Sequence, residues 1–352
     1  MSRLHETEPI TDTIARVAEY TTTMDVAHED WQKAIAVDGL LATETELDWA
    51  RRAIDRAIDT QTSNGQFAYG WGNYPKDWAR WTEYDVETYN PTTLAAALAD
   101  GALAFYNRTG NERYLEAVEK QTMFLDSVER TSTGGITRRR EEDEIWTETL
   151  SFVCPYFVRY GRITDSPAYI KAARDQIRIH IDHLLDSRTN LFRHIWRETP
   201  DCYPASSFWS RANGWALAGI LESTLRLPAE YDKSKLHSLI ESTASALIKY
   251  QDESGFWHQK IDDTTTPLES SGTLIFAYAL KTALNEGIID DQRFREAARD
   301  GFAAVRNEVD SSGAVHRVSK PPASARSELG VTPYGQGWFL KAATQFITNE
   351  QN

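Results

Sequence analysis

The segment T-P-Y-G-Q-G-W-F-L-K-A-A-T (332–344) opens like S-S-F-W-S-R-A-N-G-W-A-L-A-G-I (206–220). In both, a polar turn carrying an aromatic ring leads into a Gly-Trp pair and then an apolar run. Two helices that begin alike, one mid-chain and one at the end, read as equivalent members of a repeating array. Matching inner helices favour a closed ring of helical hairpins over an open solenoid.

The repeat is visible elsewhere. T-G-N-E-R-Y-L-E-A-V-E-K-Q (109–121) aligns with T-D-S-P-A-Y-I-K-A-A-R-D-Q (164–176) at an offset of 55, and R-F-R-E-A-A-R-D-G (293–301) is a weaker copy. Each reads as a turn followed by an amphipathic helix, because the apolar residues recur at three and four. Between these helices come S-N-G-Q-F (63–67), T-G-G-I (133–136), T-N-L-F (189–192), E-S-G-F-W (253–257) and S-S-G-A-V (311–315). In each, a Gly or Asn suited to positive φ precedes an apolar residue. Strand alternation is nearly absent, apart from short hairpins expected at 191–197 and 256–262. Five or six hairpins of about 58 residues fill the chain; an open solenoid would also fit, but the matching helix starts favour an all-α toroid of six inner and six outer helices, one domain over 1–352. The inner-helix N-termini then converge on one mouth, electropositive and suited to an anion.

Composition narrows the ligand. Fifty-two acidic against 38 basic residues give a net charge of −14, which argues against a nucleic-acid partner. The two cysteines, Cys154 and Cys202, make no disulfide framework or metal-binding Cys-x-x-Cys, and the charged start M-S-R-L-H-E lacks the apolar core of a secretion signal. No apolar run is long enough to span a bilayer. A cytoplasmic protein with no membrane partner is expected, either a monomer or a weak homo-oligomer. Eleven tryptophans and 15 tyrosines suit a sugar ligand, whose apolar C–H faces stack on aromatic rings. No metal cluster, phosphate loop or cofactor motif stands out; His180 and His183 read as outer-helix residues.

The segments expected at the mouth are W-T-E-Y-D-V-E-T-Y-N-P-T-T (81–93), E-I-W-T-E-T-L (144–150), R-H-I-W-R-E (193–198), F-W-S-R-A-N-G-W (208–215), L-E-S-S-G-T (268–273) and T-P-Y-G-Q-G-W (332–338). Taken in order, these motifs resemble those of the unsaturated glycuronyl hydrolases, glycoside hydrolase families 88 and 105, and most of all the unsaturated rhamnogalacturonyl hydrolases of family 105. The family's W-x-R-G-N-G-W stands here as Trp209 to Trp215, its W-x-D-T-L as Trp146 to Leu150, and its L-F-x-H-x-W-D-E as Leu191 to Glu198.

The resemblance implies an (α/α)6 barrel and a particular reaction. An acid protonates C4 of a 4,5-unsaturated uronic acid, water adds at C5, and the hemiketal opens to release the neighbouring sugar. It places the general acid at Glu148, where the family has aspartate, with Trp146 desolvating it and raising its pKa. It gives His194 the attacking water, and puts Asn90 in the slot of a second family aspartate, with Asp85 or Glu87 as alternatives. Arg211 would bind the uronate carboxylate or an adjacent sugar hydroxyl, and Trp209 would stack on the sugar. Asn213 and Tyr334 complete the expected saccharide contacts. Arg197 replaces a family aspartate, a departure that touches the site or the sugar accepted. Two other classes remain open: an inactive saccharide-binding homologue, and a sugar epimerase or isomerase on the same barrel, which would use a pair of cavity histidines.

Overall fold

The computed structural model describes residues 8–24, 31–67, 92–94, 96–138, 143–321 and 327–347. Thirteen helices lie among them: α1 (Ile10–Thr23), α2 (Trp31–Thr43), α3 (Leu47–Asp59), α4 (Ala97–Thr109), α5 (Glu112–Ser127), α6 (Glu148–Phe152), α7 (Cys154–Ile163), α8 (Pro167–Leu184), α9 (Ser210–Arg226), α10 (Ser234–Leu247), α11 (Ser270–Asn285), α12 (Gln292–Arg306) and α13 (Pro333–Thr344). The inner ring is α2, α4, the pair α6–α7, α9, α11 and α13, each packed on the next, and α13 packs back on α2 to close it. The outer ring is α1, α3, α5, α8, α10 and α12. This is an (α/α)6 barrel.

Sequence pattern sorts the two rings. In α12 the buried residues are Phe294, Ala297, Ala298, Gly301, Phe302 and Val305, a single stripe at spacings of three and one. In α11, 14 of 16 residues are buried, so the helix is apolar nearly all round and must lie inside. The repeats at 109, 164 and 293 become α5, α8 and α12, all outer helices.

Closure is decided by the quoted segment. Thr332 caps α13 by accepting from Gly335 N–H at 3.1 Å, and Pro333 occupies the first turn. A Cβ on Gly337 would lie 2.1 Å from the carbonyl oxygen of Ile35, and one on Gly39 would lie 2.5 Å from that of Gly337. Only glycines let α13 seat directly on α2, backbone against backbone.

The turn signals share one device. Gly65, Gly134, Asn190, Gly255 and Gly313 all have positive φ. After each, a buried side chain from a helix accepts from the backbone N–H of the apolar residue that follows. Gln121 takes Phe67 (2.8 Å), Gln176 takes Ile136 (2.9 Å), Asn213 takes Phe192 (2.7 Å), Thr273 takes Trp257 (3.0 Å) and Gln336 takes Val315 (2.6 Å). A buried amide needs a partner, and these turns are pinned to the ring by supplying one.

Short strands frame the mouth: β1 (Glu144–Trp146), β2 (Leu185–Asp186), β3 (Leu191–Phe192), β4 (Ile195–Arg197), β5 (Cys202–Ala205), β6 (Trp257–His258), β7 (Leu268–Glu269), β8 (Val318–Ser319) and β9 (Leu329–Gly330). The expected hairpin at 191–197 is instead divided. β3 pairs with β2, whereas β4 lies between β1 and β5. The one expected at 256–262 is wider, with β6 pairing across a longer loop to β7. The partners lie outside the windows in which alternation was sought. Both cysteines are free. No helix among the described residues is long and apolar enough to cross a membrane.

Candidate active site

Glu148 is the first residue of α6, and β1 delivers it to the mouth. It is 8% exposed. His194, which precedes β4, places Nε2 2.9 Å from one Glu148 carboxylate oxygen and 3.2 Å from the other. The β1–β4 pairing sets this contact, because Trp146 lies opposite Ile195 and Thr147 N–H donates to the His194 carbonyl at 3.2 Å. The Thr147 hydroxyl donates to Glu148 Oε2 at 3.2 Å. Aromatic rings box the imidazole, with Trp146 edge-on at 4.7 Å and Trp209 tilted at 4.7 Å.

Burial pushes the Glu148 carboxyl up, as its apolar surroundings predict. The charge and hydrogen bond of His194, with the charge of Arg138, outweigh this and hold it below its usual value. The sequence expectation of a raised pKa is therefore reversed: the desolvation is present, but a cationic neighbour wins. The longer glutamate is accommodated by reaching the imidazole directly.

Arg211, on the first turn of α9, is 2% exposed. Its guanidinium lies 4.2 Å from the Trp209 ring centroid and 5.1 Å from that of Tyr334. One nitrogen donates to the Ser319 carbonyl (2.7 Å) and the Ser271 hydroxyl (3.2 Å). Its Nε has no hydrogen-bond partner and no carboxylate pairs with it among the described residues. Arg211 meets Glu269 through the Ser271 hydroxyl, because the Glu269 oxygens accept from Ser210 at the head of α9 and from Ser271 and Gly272 at the head of α11. A buried guanidinium without an ion pair is costly unless an anion completes it.

Two expected sugar contacts turn inward instead. The Asn213 amide belongs to the turn-pinning series: it bonds both backbone groups of Phe192 and the Trp209 carbonyl. Nothing of it is left to offer a hydroxyl. Tyr334 is fully buried, donates its hydroxyl to the Ser319 carbonyl and packs tilted against Trp31 at 4.7 Å, with its ring 5.1 Å from the Arg211 guanidinium. Trp146, Trp209, Arg211, Glu148 and His194 do come together. Asn90, with Asp85 and Glu87, lies outside the described residues.

Two residues were missed by the motif reading. The Arg138 guanidinium lies over the face of Trp146 at 3.9 Å. Its run R-R-R-E-E-D-E (138–144) looks like a solvated charge face, and only its position just ahead of Trp146 marked it. Glu144 is 6% exposed and accepts from the Trp146 indole N–H at 2.9 Å. Its cue was the two-residue spacing that puts both side chains on one face of β1. Arg197, the departure from the family pattern, sits directly opposite Glu144 and pairs with it. Of the histidines, His180 is buried in α8 and pushed down to about 4 by burial, although the charge of Glu148 opposes this, and among the described residues only His194 hydrogen-bonds Glu148.

A closed helical ring whose mouth presents a carboxyl–imidazole pair, stacking indoles and a buried unpaired guanidinium defines an (α/α)6-barrel carbohydrate enzyme. The comparisons give the family: the chain belongs to Glycosyl Hydrolase Family 88, whose model matches residues 7–349. It is 26% identical to the unsaturated rhamnogalacturonyl hydrolase YesR of Bacillus subtilis, over 98% of this chain and 96% of that one. It is 26% identical to an unsaturated 3S-rhamnoglycuronyl hydrolase of Formosa agariphila, over 92% and 89%. In fold it is similar to a family 105 glycoside hydrolase of C. acetobutylicum (TM-score 0.79, 19% identity, 97% of this chain and 100% of that one). The unsaturated glucuronyl hydrolase of Bacillus sp. GL1 shares the fold more distantly (TM-score 0.70, 16% identity, 95% and 94%).

Proposed function

We propose that this chain hydrates the C4=C5 double bond of a 4,5-unsaturated uronic acid at the non-reducing end of a small oligosaccharide, releasing the neighbouring sugar. The observation that carries this reading is the Glu148–His194 pair at 2.9 Å, buried in the mouth. Glu148 gives its proton to C4. Water held by His194 adds at C5, and the proton that water sheds returns to the pair. The hemiketal then opens and the second sugar leaves as an alcohol.

The lowered proton affinity of Glu148 fits an anionic substrate. Arg138 helps to depress it in the free enzyme. A uronate carboxylate bound near Arg211 and Arg138 adds a negative charge that offsets this, so the carboxyl regains its proton as substrate arrives. Trp146 and Trp209 supply flat faces for the ring, and the ring of helices acts as one catalytic unit. With both cysteines unbridged, the chain suits a reducing, cytoplasmic setting, as a monomer or weak homo-oligomer. The test is a panel of lyase-made disaccharides from pectin, glycosaminoglycan and ulvan, followed by loss of the conjugated double bond's ultraviolet absorbance. Turnover of at least one, abolished by Glu148→Gln, is expected. Tight binding without turnover on every member would overturn the reading in favour of a saccharide-binding protein.

A further inference from the structure

We propose that Arg197 is a positioning residue for the reaction, acting through Glu144 and Trp146 on the Glu148–His194 pair. This rests on the assignment of Glu148 and His194 above. The chain of contacts is continuous. Arg197 donates from Nε (2.9 Å) and from a terminal nitrogen to one oxygen of Glu144. The other oxygen accepts from the Trp146 indole at 2.9 Å. Trp146 then meets His194 edge-on at 4.7 Å and carries the Arg138 guanidinium on its face at 3.9 Å.

Each link has a physical reason. Trp146 ends a three-residue strand, and among the described residues its indole N–H bonds only to Glu144. That bond fixes the angle of the ring. The ring in turn sets where the imidazole and the Arg138 charge stand relative to Glu148. Glu144 is buried, at 6% exposure, and a buried acidic side chain is held in place by a cationic hydrogen-bond partner. Arg197, half-exposed at the rim, is that cation. Its arginine in place of the family's aspartate is thus matched across the β1–β4 ladder by Glu144.

The test is a kinetic cycle on the full chain with a turned-over disaccharide, after Glu148→Gln has been shown to abolish activity; retained turnover there would overturn the Glu148 assignment itself. Arg197→Ala is expected to lower kcat roughly ten- to hundredfold, the scale of a misplacement near 1 Å. KM should change less, and the pH profile of kcat/KM should shift. Arg197→Lys, which keeps the charge, should recover part of the loss, and Glu144→Gln, which keeps an acceptor for the indole, should be milder than Glu144→Ala. Adding Arg197→Ala to Trp146→Phe, which lacks the N–H, should cost no further activity. Additive losses with an unshifted pH profile, at matched thermal midpoints, would overturn the proposal and leave Arg197 as an ordinary rim ion pair.

Discussion

The two ends of the barrel interior are both charged, yet they treat charge in opposite ways. Near the C-terminal end of α9, Arg226 forks onto Asp100 at 2.8 and 2.9 Å and reaches Glu222 at 3.3 Å. Lys341 holds Glu222 at 2.6 Å, Arg159 holds Asp100 at 3.2 Å, and the Tyr278 hydroxyl donates to Glu222 at 3.1 Å. Nearly every acid there has its base. At the mouth, Glu148 is hydrogen-bonded to an imidazole rather than to a guanidinium or ammonium, and among the described residues Arg211 has no carboxylate partner. A run of rings in tilted and edge-on contact, Tyr334, Trp31, Trp215 and Trp338, links the two ends. The lesson is that saturation marks structure and incompleteness marks chemistry. A closed network costs its desolvation once and then stays put, whereas an incomplete one is finished by a ligand.

The sharpest way to break this contrast is Glu148→Gln. It should lower turnover about a thousandfold, within the range for removing a general acid, with little change in thermal midpoint. A variant that unfolds instead would show the mouth to be as structural as the base. Next, Arg226→Met removes the fork on Asp100 and the contact to Glu222, leaving them Arg159 and Lys341, and should cost about 3 kcal/mol in denaturant unfolding, while kcat per folded molecule stays constant. Arg211→Lys keeps the charge but not the fork, and should raise KM about tenfold in the disaccharide assay.

The smallest effect concerns the exception at the base. Asp38 has no hydrogen bond among the described residues, and burial raises its carboxyl to about 7 against a usual 3.8, although Lys341 opposes this. A raised carboxyl contributes stability that is full below its usual value and lost as pH climbs to about 7. Asp38→Asn should therefore flatten the dependence of thermal midpoint on pH between 3.8 and 7. At pH above that window it should gain about 1–2 °C. Asp100, where the charges of Arg159 and Arg226 outweigh burial and pull the carboxyl down to about 2, acts in the opposite sense and at lower pH. Its contribution is lost only as pH falls toward 2, so acid unfolding should survive in the variant unchanged.

Much of the site was legible because its residues sit beside rigid landmarks. Glu148, His194, Trp209 and Arg211 each lie within a few residues of an inner-helix start or a mouth strand, so sequence order alone placed them at the rim. What misled was side-chain direction. Asn213 and Arg211 are two residues apart at the head of α9, yet one faces a backbone turn and the other the mouth. Tyr334 heads α13 and is fully buried, its hydroxyl spent on the Ser319 carbonyl. The sign of the Glu148 shift was equally hidden, since it depends on a histidine 46 residues away and on an arginine whose charge run looked solvated.

From the amino-acid order came the count of hairpins, the division into inner and outer helices and the positive-φ turns. These follow from local periodicity and from residues that tolerate left-handed backbone. Tertiary structure alone decided that Glu144 would answer Arg197 and that, among the described residues, no carboxylate would pair with Arg211. Those outcomes depend on which distant groups share a few ångströms of low-dielectric interior, and no spacing along a chain encodes that.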